Sequence, residues 1–392
     1  MTAILSQAKD IFPYSRDLRR DFHRHPELGF QEHRTAERII KELSTLEDLQ
    51  IQTGIGRTGI VGTLTGGKPG RVILLRFDMD ALPVVENTGV DYTSQNEGLM
   101  HACGHDGHMA IGLSTSRLLY ESRENLAGTI KFVFQPAEEG LGGASAMISD
   151  GVLNDPVPDI TLALHLWNEK PLGWIGITDG PMMSASETFM VRITGKGGHG
   201  GKPHEAVDPI VAAAGIINTL QSIISREIPP LESGVITVSS IHGGEAHNVI
   251  PEEVNLTGTI RSFTEDSREL LLNRFHEVVE TTAAVYLCQA EVKIEDISPA
   301  VINNPEIAAV LRRVAGDLFP AGVIDPGYQT MASEDMACMM QDIPGCYCLI
   351  GSANPEKGLD AKHHQPEFNF DEEVLTRGTA LLVSAVYELL KD

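Results

Sequence analysis

The first 166 residues alternate short apolar runs with segments of helical spacing, and this alternation constrains the fold more than any other feature of the sequence. The apolar runs are rich in β-branched residues and comprise GIVGTL (59–64), RVILLRF (71–77), GTIKFVF (128–134) and DITLALHL (159–166). A helical segment, MAIGLSTSRLLYE (109–121), lies between the second and third runs. Because strands that alternate with helices form mostly parallel sheets, the sequence predicts an α/β domain.

The pattern changes at about Ser186. Between residues 186 and 297 the predicted elements follow the order strand, helix, strand, strand, helix, strand, which is the order of a ferredoxin-like α+β unit. After Ser298 come a helix, a buried-looking strand and a last helix, consistent with a return to the first domain. We therefore predict a large domain made of residues 1–185 and 298–392, with a ferredoxin-like domain of residues 186–297 inserted into it.

The charge balance argues against several classes of function. The chain carries 30 Lys and Arg against 54 Asp and Glu, a net charge of −24, so its own field opposes binding to nucleic-acid phosphates or anionic lipid. We expect a small-molecule or peptide substrate, no nucleic-acid partner and no membrane partner. The sequence lacks a signal-peptide pattern and an apolar run of membrane-spanning length, so a cytoplasmic location is expected. Five scattered cysteines do not form a disulfide framework, which leaves Cys103 free to bind a metal.

Polar side chains follow three of the predicted strands. Asp78 and Asp80 come after the second run, Glu138 and Glu139 after the third, and His165 lies at the end of the fourth. Functional groups of parallel α/β sheets collect beyond the carboxyl ends of the strands. We therefore expect these side chains to share one pocket.

The stretch MHACGHDGHMA (100–110) adds Cys103 and His105 to this pocket. A single histidine such as His165 is more often a hydrogen-bonded residue than a ligand, and adjacent acids are usually solvated. Thiol, imidazole and carboxylate groups at this density, however, match divalent cations such as zinc, cobalt, nickel or manganese. A glutamate that is not fully occupied as a ligand can then act as general acid and base in hydrolysis.

Competing motifs fit less well. HEAVD (204–208) and HEVVE (276–280) lack the second histidine of a thermolysin-type zinc helix, and no G-x-S-x-G elbow is present. The glycine-rich GKGGHGGKPH (195–204) does not match a phosphate-binding loop. Cys103 activated by His105 would make a cysteine hydrolase, but two residues apart on one loop is poor geometry for proton transfer.

With these residues in place, the chain resembles the M20 family of di-metal aminoacylases and carboxypeptidases, in particular the branch of hippurate hydrolase, N-acyl-L-amino-acid amidohydrolase and indole-acetyl-amino-acid hydrolase. The likeness runs nearly from end to end. The matching stretches are DFHRHPELGFQE, RFDMDALPV, MHACGHDGHMA, FQPAEEG, ALHLW, GKGGHGGKPHEAVDPI, GGEAHNVIPEEVNLTGTIRSF, SEDMA and HHQPEFNFDEE.

The resemblance implies two divalent metal ions and a set of ligands in the large, catalytic domain. The implied ligands are Cys103, His105, Glu139, His165 and His364. The family pattern H-x-P-x-F selects His364, with His363 as the alternative. Glu138 would be the general acid and base. Other branches use a histidine in the triplet that here reads Asp78-Met79-Asp80, so Asp78 and Asp80 are expected to support the ligands.

The same resemblance gives the inserted domain the role of a lid and dimerisation domain. It implies that His199 stabilises the oxyanion, that Asn248 and Arg261 bind the substrate's α-carboxylate, and that the chain forms a homodimer or a higher homo-oligomer. The implied reaction is hydrolysis of the amide bond of N-acyl or N-aroyl amino acids. A carboxypeptidase acting on short peptides and a non-catalytic metal-dependent binding protein are the alternatives. The acyl group, the native metal and the roles of Ser333 and Glu334 stay open.

Overall fold

The computed structural model describes residues 2–391, and these divide into two compact units. The first unit contains the chain up to Met182, then Val301–Gln329, and then the chain from Asp335 onward. The second unit contains Met183–Ala300 and Thr330–Glu334. The second unit is therefore an insertion in the sequence of the first.

The unit boundaries differ from the predicted 185/186 and 297/298, since they fall after Met182 and after Ala300. The structure also places Thr330–Glu334 in the second unit. Thr330 forms a parallel bridge with Met183, and the Ser184 N–H donates a 3.0 Å hydrogen bond to the Ala332 carbonyl. Local sequence patterns do not reveal such a long-range pairing. Positions 1 and 392 of the predicted domains lie outside the described residues.

The helices are numbered in chain order. They are α1 (Thr2–Asp10), α2 (Phe12–Arg24), α3 (His33–Leu43), α4 (His105–Glu121), α5 (Gly143–Ser149), α6 (Pro209–Arg226), α7 (Glu265–Val285), α8 (Pro305–Leu318), α9 (Met336–Met340) and α10 (Glu373–Leu389).

The strands follow the same convention. They are β1 (Gln50–Ile55), β2 (Gly59–Thr65), β3 (Lys68–Asp78), β4 (Ala127–Gln135), β5 (Ile160–Pro171), β6 (Trp174–Gly176), β7 (Gly180–Met183), β8 (Ala185–Thr194), β9 (Gly198–His199), β10 (Gly234–His242), β11 (Val249–Ile250), β12 (Glu253–Ser262), β13 (Gln289–Ser298), β14 (Val301–Asn303), β15 (Val323–Asp325) and β16 (Gly345–Ala353).

The main sheet of the first unit has the order β1-β2-β4-β3-β5-β16-β6-β15. Its central strands are parallel: β3 pairs with β4 and β5, and β5 pairs with β16. The pairs β1–β2, β2–β4 and β16–β6 are antiparallel. The prediction of an α/β fold with a mostly parallel central sheet is confirmed, and the carboxyl ends of β3 and β4 lie side by side next to β5.

An antiparallel hairpin at one edge, β1–β2, is not evident from the apolar pattern. β1 is mostly exposed, so it lacks the apolar run that identifies a buried strand. Its turn contains Gly56 at φ 62° and Arg57 at φ 77°, and two successive left-handed residues suit the right-handed twist of a tight hairpin.

Helix α4 lies deep in the core of the first unit. Every residue from His105 to Ser116 is buried, and the helix packs against α2, α10 and β3. A glycine permits the close approach to the sheet, because a Cβ on Gly112 would lie 2.7 Å from the ring of Phe77. This packing fixes the first residue of α4, His105, in the interior.

The second unit contains a sheet of order β10-β12-β8-β13 whose strands pair antiparallel. Helices α6 and α7 pack on it, and along β8 buried and exposed residues alternate, as expected for a sheet covered on one face. The sequence of elements is strand, helix, strand, strand, helix, strand, the ferredoxin-like order. The short strands β9 and β11 form a separate antiparallel pair.

Within residues 2–391, the helices fall short of the length and apolar character needed to cross a membrane.

Candidate metal centre

The loop that precedes α4 directs two ligand side chains to one point. Gly104 has φ 98°, a conformation that glycine adopts at little cost, and it turns the chain from Cys103 into the helix. The Cys103 sulfur and one ring nitrogen each of His105 and His165 lie within 4.8 Å of one another. The loop and the middle of β5, where His165 lies, therefore supply one group of candidate ligands.

Hydrogen bonds set the tautomers of both histidines. The His105 Nδ1–H donates to the backbone carbonyl of Asp80 at 2.9 Å, and the His165 Nδ1–H donates to the Leu166 carbonyl at 2.6 Å. In the neutral form of each ring, Nε2 therefore carries a lone pair. The His165 Nε2 lies 3.5 Å from the Cys103 sulfur, and the His105 Nε2 has no hydrogen-bond partner among residues 2–391. Backbone carbonyls orient metal-binding histidines in this way.

Two further groups of ligand atoms overlap with the first. Cys103, Glu139 and His364 form one, and His105, Glu138 and Glu139 form the other, again with ligand atoms within 4.8 Å of one another. The His364 Nε2 lies 3.4 Å from Glu139 Oε1. Since Cys103, His105 and Glu139 each belong to two groups, the cluster offers ligands for two neighbouring cations.

Asp80 and Asp78 support this cluster. Asp80 Oδ2 accepts the backbone N–H of Glu139 at 3.0 Å. Asp78 accepts from Arg76 Nη1 at 2.7 Å and from His108 Nδ1 at 2.6 Å. The His108 Nε2 in turn accepts the Leu166 N–H at 2.9 Å, so both ring nitrogens of His108 form hydrogen bonds within the protein. A ring nitrogen of His108 also lies within 4.8 Å of ligand atoms of Asp78 and His105.

The turn that carries Glu138 and Glu139 has a strained backbone. Ala137 has φ 54°, a conformation that costs a residue with a Cβ free energy. Its N–H donates to Glu32 Oε1 at 2.9 Å, and Glu32 Oε2 accepts the Thr58 hydroxyl at 2.6 Å. The buried Glu32 therefore holds the turn that directs Glu138 into the ligand cluster.

Another buried acid, Asp335, holds the same region from a distant part of the chain. Its Oδ1 accepts from Arg76 Nη2 at 3.0 Å and from Gln135 Nε2 at 2.7 Å, and its Oδ2 accepts the Ala144 N–H at 2.9 Å. Asp335 thereby connects β3, the end of β4 and the start of α5.

The cluster has a strongly negative field. Burial, together with Glu139 and Glu138, holds the pKa of the Cys103 thiol well above its usual range. Although burial opposes a charge on His105, Asp78 and Asp80 raise its pKa to about 10. A field that draws protons onto these ligands also attracts a divalent cation.

The same field argues against a cysteine nucleophile. The sulfur of Cys103 lies close to His165 Nε2, as in a thiol–imidazole pair. Burial and the neighbouring imidazole of His108 hold the pKa of His165 well below its usual range, while the pKa of Cys103 is raised. Both shifts oppose the thiolate–imidazolium state that a cysteine hydrolase requires.

The structure distinguishes the two adjacent histidines. His364 has φ 65°, donates its N–H to the Ala102 carbonyl at 2.8 Å and faces Glu139. His363 instead accepts the Asn168 N–H on Nε2 at 3.0 Å. Burial, with the neighbouring His364, lowers the pKa of His363 to about 3. Of the two, His364 has the position of a ligand shared with Glu139.

A buried ion network adjoins the loop. Asp106 Oδ2 lies 2.9 Å from Arg19 Nε and 2.8 Å from His23 Nδ1, and His23 Nε2 lies 3.2 Å from Glu86 Oε1. Although burial opposes a charge, hydrogen bonds to Asp106 and Glu86 raise the pKa of His23. Asp106, which follows His105, is thus held by two positively charged side chains, Arg19 and His23.

Three site residues predicted from the resemblance lie in the second unit. His199 is exposed, and its Nδ1 accepts the Gly201 N–H at 2.9 Å, so the ring proton is on Nε2. Asn248 is adjacent, since its carbonyl accepts the Gly200 N–H at 2.8 Å, and both residues line a cavity of about 480 Å³. Arg261 lies on β12, half-buried, and its Nη1 has no hydrogen-bond partner within the described part of the chain.

Several residues of the site were not anticipated from the sequence. His108 had a detectable signal, because it lies three residues after His105 on the same helix and therefore on the same face. Glu32 and Asp335 had none, because each acts through contacts with segments far away in the chain, and Arg76 likewise contacts the distant Asp335.

Cys, His and Glu ligand atoms gathered at one edge of a mostly parallel sheet define a metal-dependent hydrolase with room for two cations. The donor set suits borderline divalent ions, and buried ligand atoms on His105, Asp80 and Glu139 lack hydrogen-bond partners among residues 2–391.

Residues 74–388 match the model of Peptidase family M20/M25/M40, and the chain belongs to this family. The resemblance drawn from its motifs is thereby confirmed, and the chain is an enzyme of this metal-dependent hydrolase family.

Known proteins match along nearly the whole chain. Thermostable carboxypeptidase 1 of Saccharolobus solfataricus is 36% identical, with 95% of this chain and 94% of that protein covered. N-acetyl-L-cysteine deacetylase of Bacillus subtilis is 37% identical, with 95% and 87% covered. The crystal structure of the Bacillus subtilis YXEP protein, a dinuclear metal-binding peptidase from the M20 family, aligns with a TM-score of 0.85 at 32% identity, covering 98% of this chain and 99% of that one.

Proposed function

We propose that this enzyme hydrolyses the amide bond of N-acyl or N-aroyl amino acids, releasing a carboxylic acid and a free amino acid. The observation that carries the proposal is the position of Glu138, within 4.8 Å of ligand atoms of both His105 and Glu139. A carboxylate beside a two-cation site is suited to moving protons during hydrolysis. The similarity to an N-acetyl-L-cysteine deacetylase supports an N-acyl amino acid as the substrate class.

The metal ligands in this proposal are Cys103, His105, Glu139, His165 and His364. Asp80 orients Glu139 and His105, and Asp78 restrains His108. When bound, the two divalent cations polarise the substrate carbonyl and lower the pKa of water. The other steps use groups of the chain itself.

Glu138 takes the proton from the attacking water and delivers it to the leaving nitrogen. Glu138→Gln keeps the size and hydrogen-bonding groups of the side chain but removes this basicity. We expect its kcat to fall by about 10²–10⁴-fold, while the metal content and the unfolding temperature stay those of the parent. Steady-state kinetics with metal analysis checks this, and substantial turnover by the variant would reject the assignment.

The second unit contributes substrate-binding groups in this proposal. The His199 Nε2–H donates to the oxyanion that forms as the amide carbonyl is attacked. Asn248 and Arg261 bind the α-carboxylate of the substrate, for which a guanidinium offers two parallel N–H donors. The unit acts as a lid and as the surface through which a homodimer or higher homo-oligomer forms.

A carboxypeptidase activity on short peptides is the second candidate, because a thermostable carboxypeptidase is 36% identical. Both reactions break an amide next to a free carboxylate, so the same residues serve either one. A panel of hippurate, N-acetyl-amino acids and dipeptides separates the two by kcat/KM. The proposal predicts preference for the N-acyl compounds, and faster cleavage of dipeptides would favour the carboxypeptidase.

The remaining alternatives are separated by inhibition. A non-catalytic binding protein would bind metal yet hydrolyse nothing on the panel. A cysteine hydrolase would lose activity with thiol reagents in the metal-loaded state and keep it with chelators. The proposal predicts loss with chelators and recovery with added divalent cations.

A further inference from the structure

His363 is a residue of the site that the proposed function leaves without a task. It lies beside the proposed ligand His364, yet its Nε2 faces the backbone of Asn168 at 3.0 Å. Its other ring nitrogen, Nδ1, lies 3.9 Å from the sulfur of Cys103. The ring therefore joins β5 to the loop that carries Cys103.

The contact with Asn168 fixes the tautomer of His363. A backbone N–H can only donate, so Nε2 accepts and carries no proton. A neutral imidazole has one ring proton, which must then be on Nδ1. The N–H of His363 consequently faces the Cys103 sulfur.

The orientation of the ring is fixed as well. His363 lies between Trp167 and Phe368, with ring centroids 5.0 Å away on each side and interplanar angles of 33° and 36°. Asn168 is held in turn, because its side chain accepts from the Ser352 hydroxyl at 2.9 Å and donates to the Ala361 carbonyl at 2.8 Å. The direction of Nδ1–H is thus set before any cation binds.

We propose that His363 is a positioning residue that donates its Nδ1–H to the sulfur of Cys103 and holds that sulfur in the direction of the cluster. A ligand oxygen of Glu139 lies within 4.8 Å of this sulfur, so the ring supplies a donor on a side of the pocket where acceptor atoms are close together. A hydrogen bond to an ionised acceptor is shorter and stronger than one to a neutral acceptor. The inference rests on the proposed role of Cys103 as a metal ligand.

Two variants separate hydrogen bonding from packing. His363→Phe keeps an aromatic ring between Trp167 and Phe368 but has no donor. His363→Asn places an amide N–H near the position of Nδ1 but has no ring. The readouts are the cobalt affinity of the enzyme, measured by competition with a chelator, and the thiolate-to-cobalt charge-transfer absorption of the cobalt-loaded enzyme.

We expect His363→Phe to bind cobalt about 10–100-fold more weakly, the usual effect of removing a group that orients a metal ligand. Its charge-transfer band should move to lower energy, because loss of a donor raises the energy of the sulfur lone pairs. His363→Asn should keep both the affinity and the band position close to those of the parent. If His363→Phe matched the parent, or if the two variants lost affinity equally, the inference would be overturned.

Cys103→Ser shows whether the inference or the proposed metal site fails. Loss of the charge-transfer band in Cys103→Ser, together with an unchanged band in His363→Phe, would reject the role of His363 alone. A band that persists in Cys103→Ser would reject Cys103 as a ligand, and the role of His363 with it.

Discussion

Individual backbone conformations determine where the ligand atoms of this enzyme point. Gly104, Ala137 and His364 all have positive φ, at 98°, 54° and 65°. His364 is itself a residue of the proposed centre, and Gly104 and Ala137 are each next to one in the sequence. For a residue with a Cβ this conformation costs about 1–3 kcal/mol, and it persists because neighbours such as Glu32 hold it.

Substitution of Gly104 tests the connection between backbone and metal binding. We expect Gly104→Ala to destabilise the fold by about 1–2 kcal/mol and to weaken metal binding, because relief of the strain would turn Cys103 away from His105. Gly89→Ala is the matched control, since Gly89 also has positive φ, 70°, with no atom within 4 Å of the added Cβ. It should lose stability but not metal affinity, as measured by denaturant unfolding and chelator competition. Equal metal affinity in both variants would contradict the explanation.

The pH dependence of stability follows from His23. Its folded pKa is raised above 6.5 by Asp106 and Glu86, although burial opposes the shift. The stabilisation from the charged ring is therefore fully present below pH 6.5 and is lost as the pH rises through the folded pKa. The free energy of unfolding of the parent exceeds that of His23→Gln while the ring is charged. This difference should shrink as the pH rises from about 6 to about 9 and the ring loses its proton. A difference that grows with pH would show that the ring is neutral in the fold.

Sequence motifs indicated the proposed ligand residues more directly than the groups that hold them. Cys103, His105 and the acid pair stand out because soft and charged side chains are dense there. Glu32 is 105 positions from Ala137, which it holds, and no local pattern indicates that contact. His363 and His364 are neighbours of the same residue type, and what each ring nitrogen faces depends on the fold.

At the level of elements, helix α2 is joined to the metal centre by buried charges rather than by apolar packing alone. Arg19, fully buried, donates from Nε to Asp106 at 2.9 Å and from Nη2 to Asn369 at 2.9 Å. These contacts link α2 to the start of α4 and to the segment that follows His364.

Removal of Arg19 should therefore be costly. We expect Arg19→Met to destabilise the protein by about 3–5 kcal/mol, because Asp106 loses a partner inside the core. The control on the same helix is Arg16→Met, whose exposed ion pair with Asp17 at 3.0 Å contributes only about 0–1 kcal/mol. Denaturant unfolding of both variants checks the contrast, and similar losses would mean that the buried network contributes little.

Elements with a strong apolar pattern were predictable, and those fixed by pairing were not. The helix predicted at 109–121, which forms most of α4, and the central strands follow from periodicity and from β-branched runs. The exposed strand β1 and the bridge between Met183 and Thr330 depend on distant partners, so they lie outside what a local pattern can indicate.

For the whole molecule, the central feature is a concentration of acidic groups in an already acidic chain. The net charge is −24, and Asp78, Glu138 and Glu139 all act on Cys103. This arrangement makes bound cations part of the working enzyme, because they offset carboxylates that would otherwise repel one another and an anionic substrate.

The most direct test is a titration of divalent cations into chelator-treated enzyme, with bound metal and hydrolysis of an N-acyl amino acid followed together. The account predicts that activity returns as the second cation binds per chain, and that Glu138→Gln binds the same two cations while staying inactive. Full hydrolysis without bound cations, or recovery that saturates before a second ion binds, would contradict the two-cation centre.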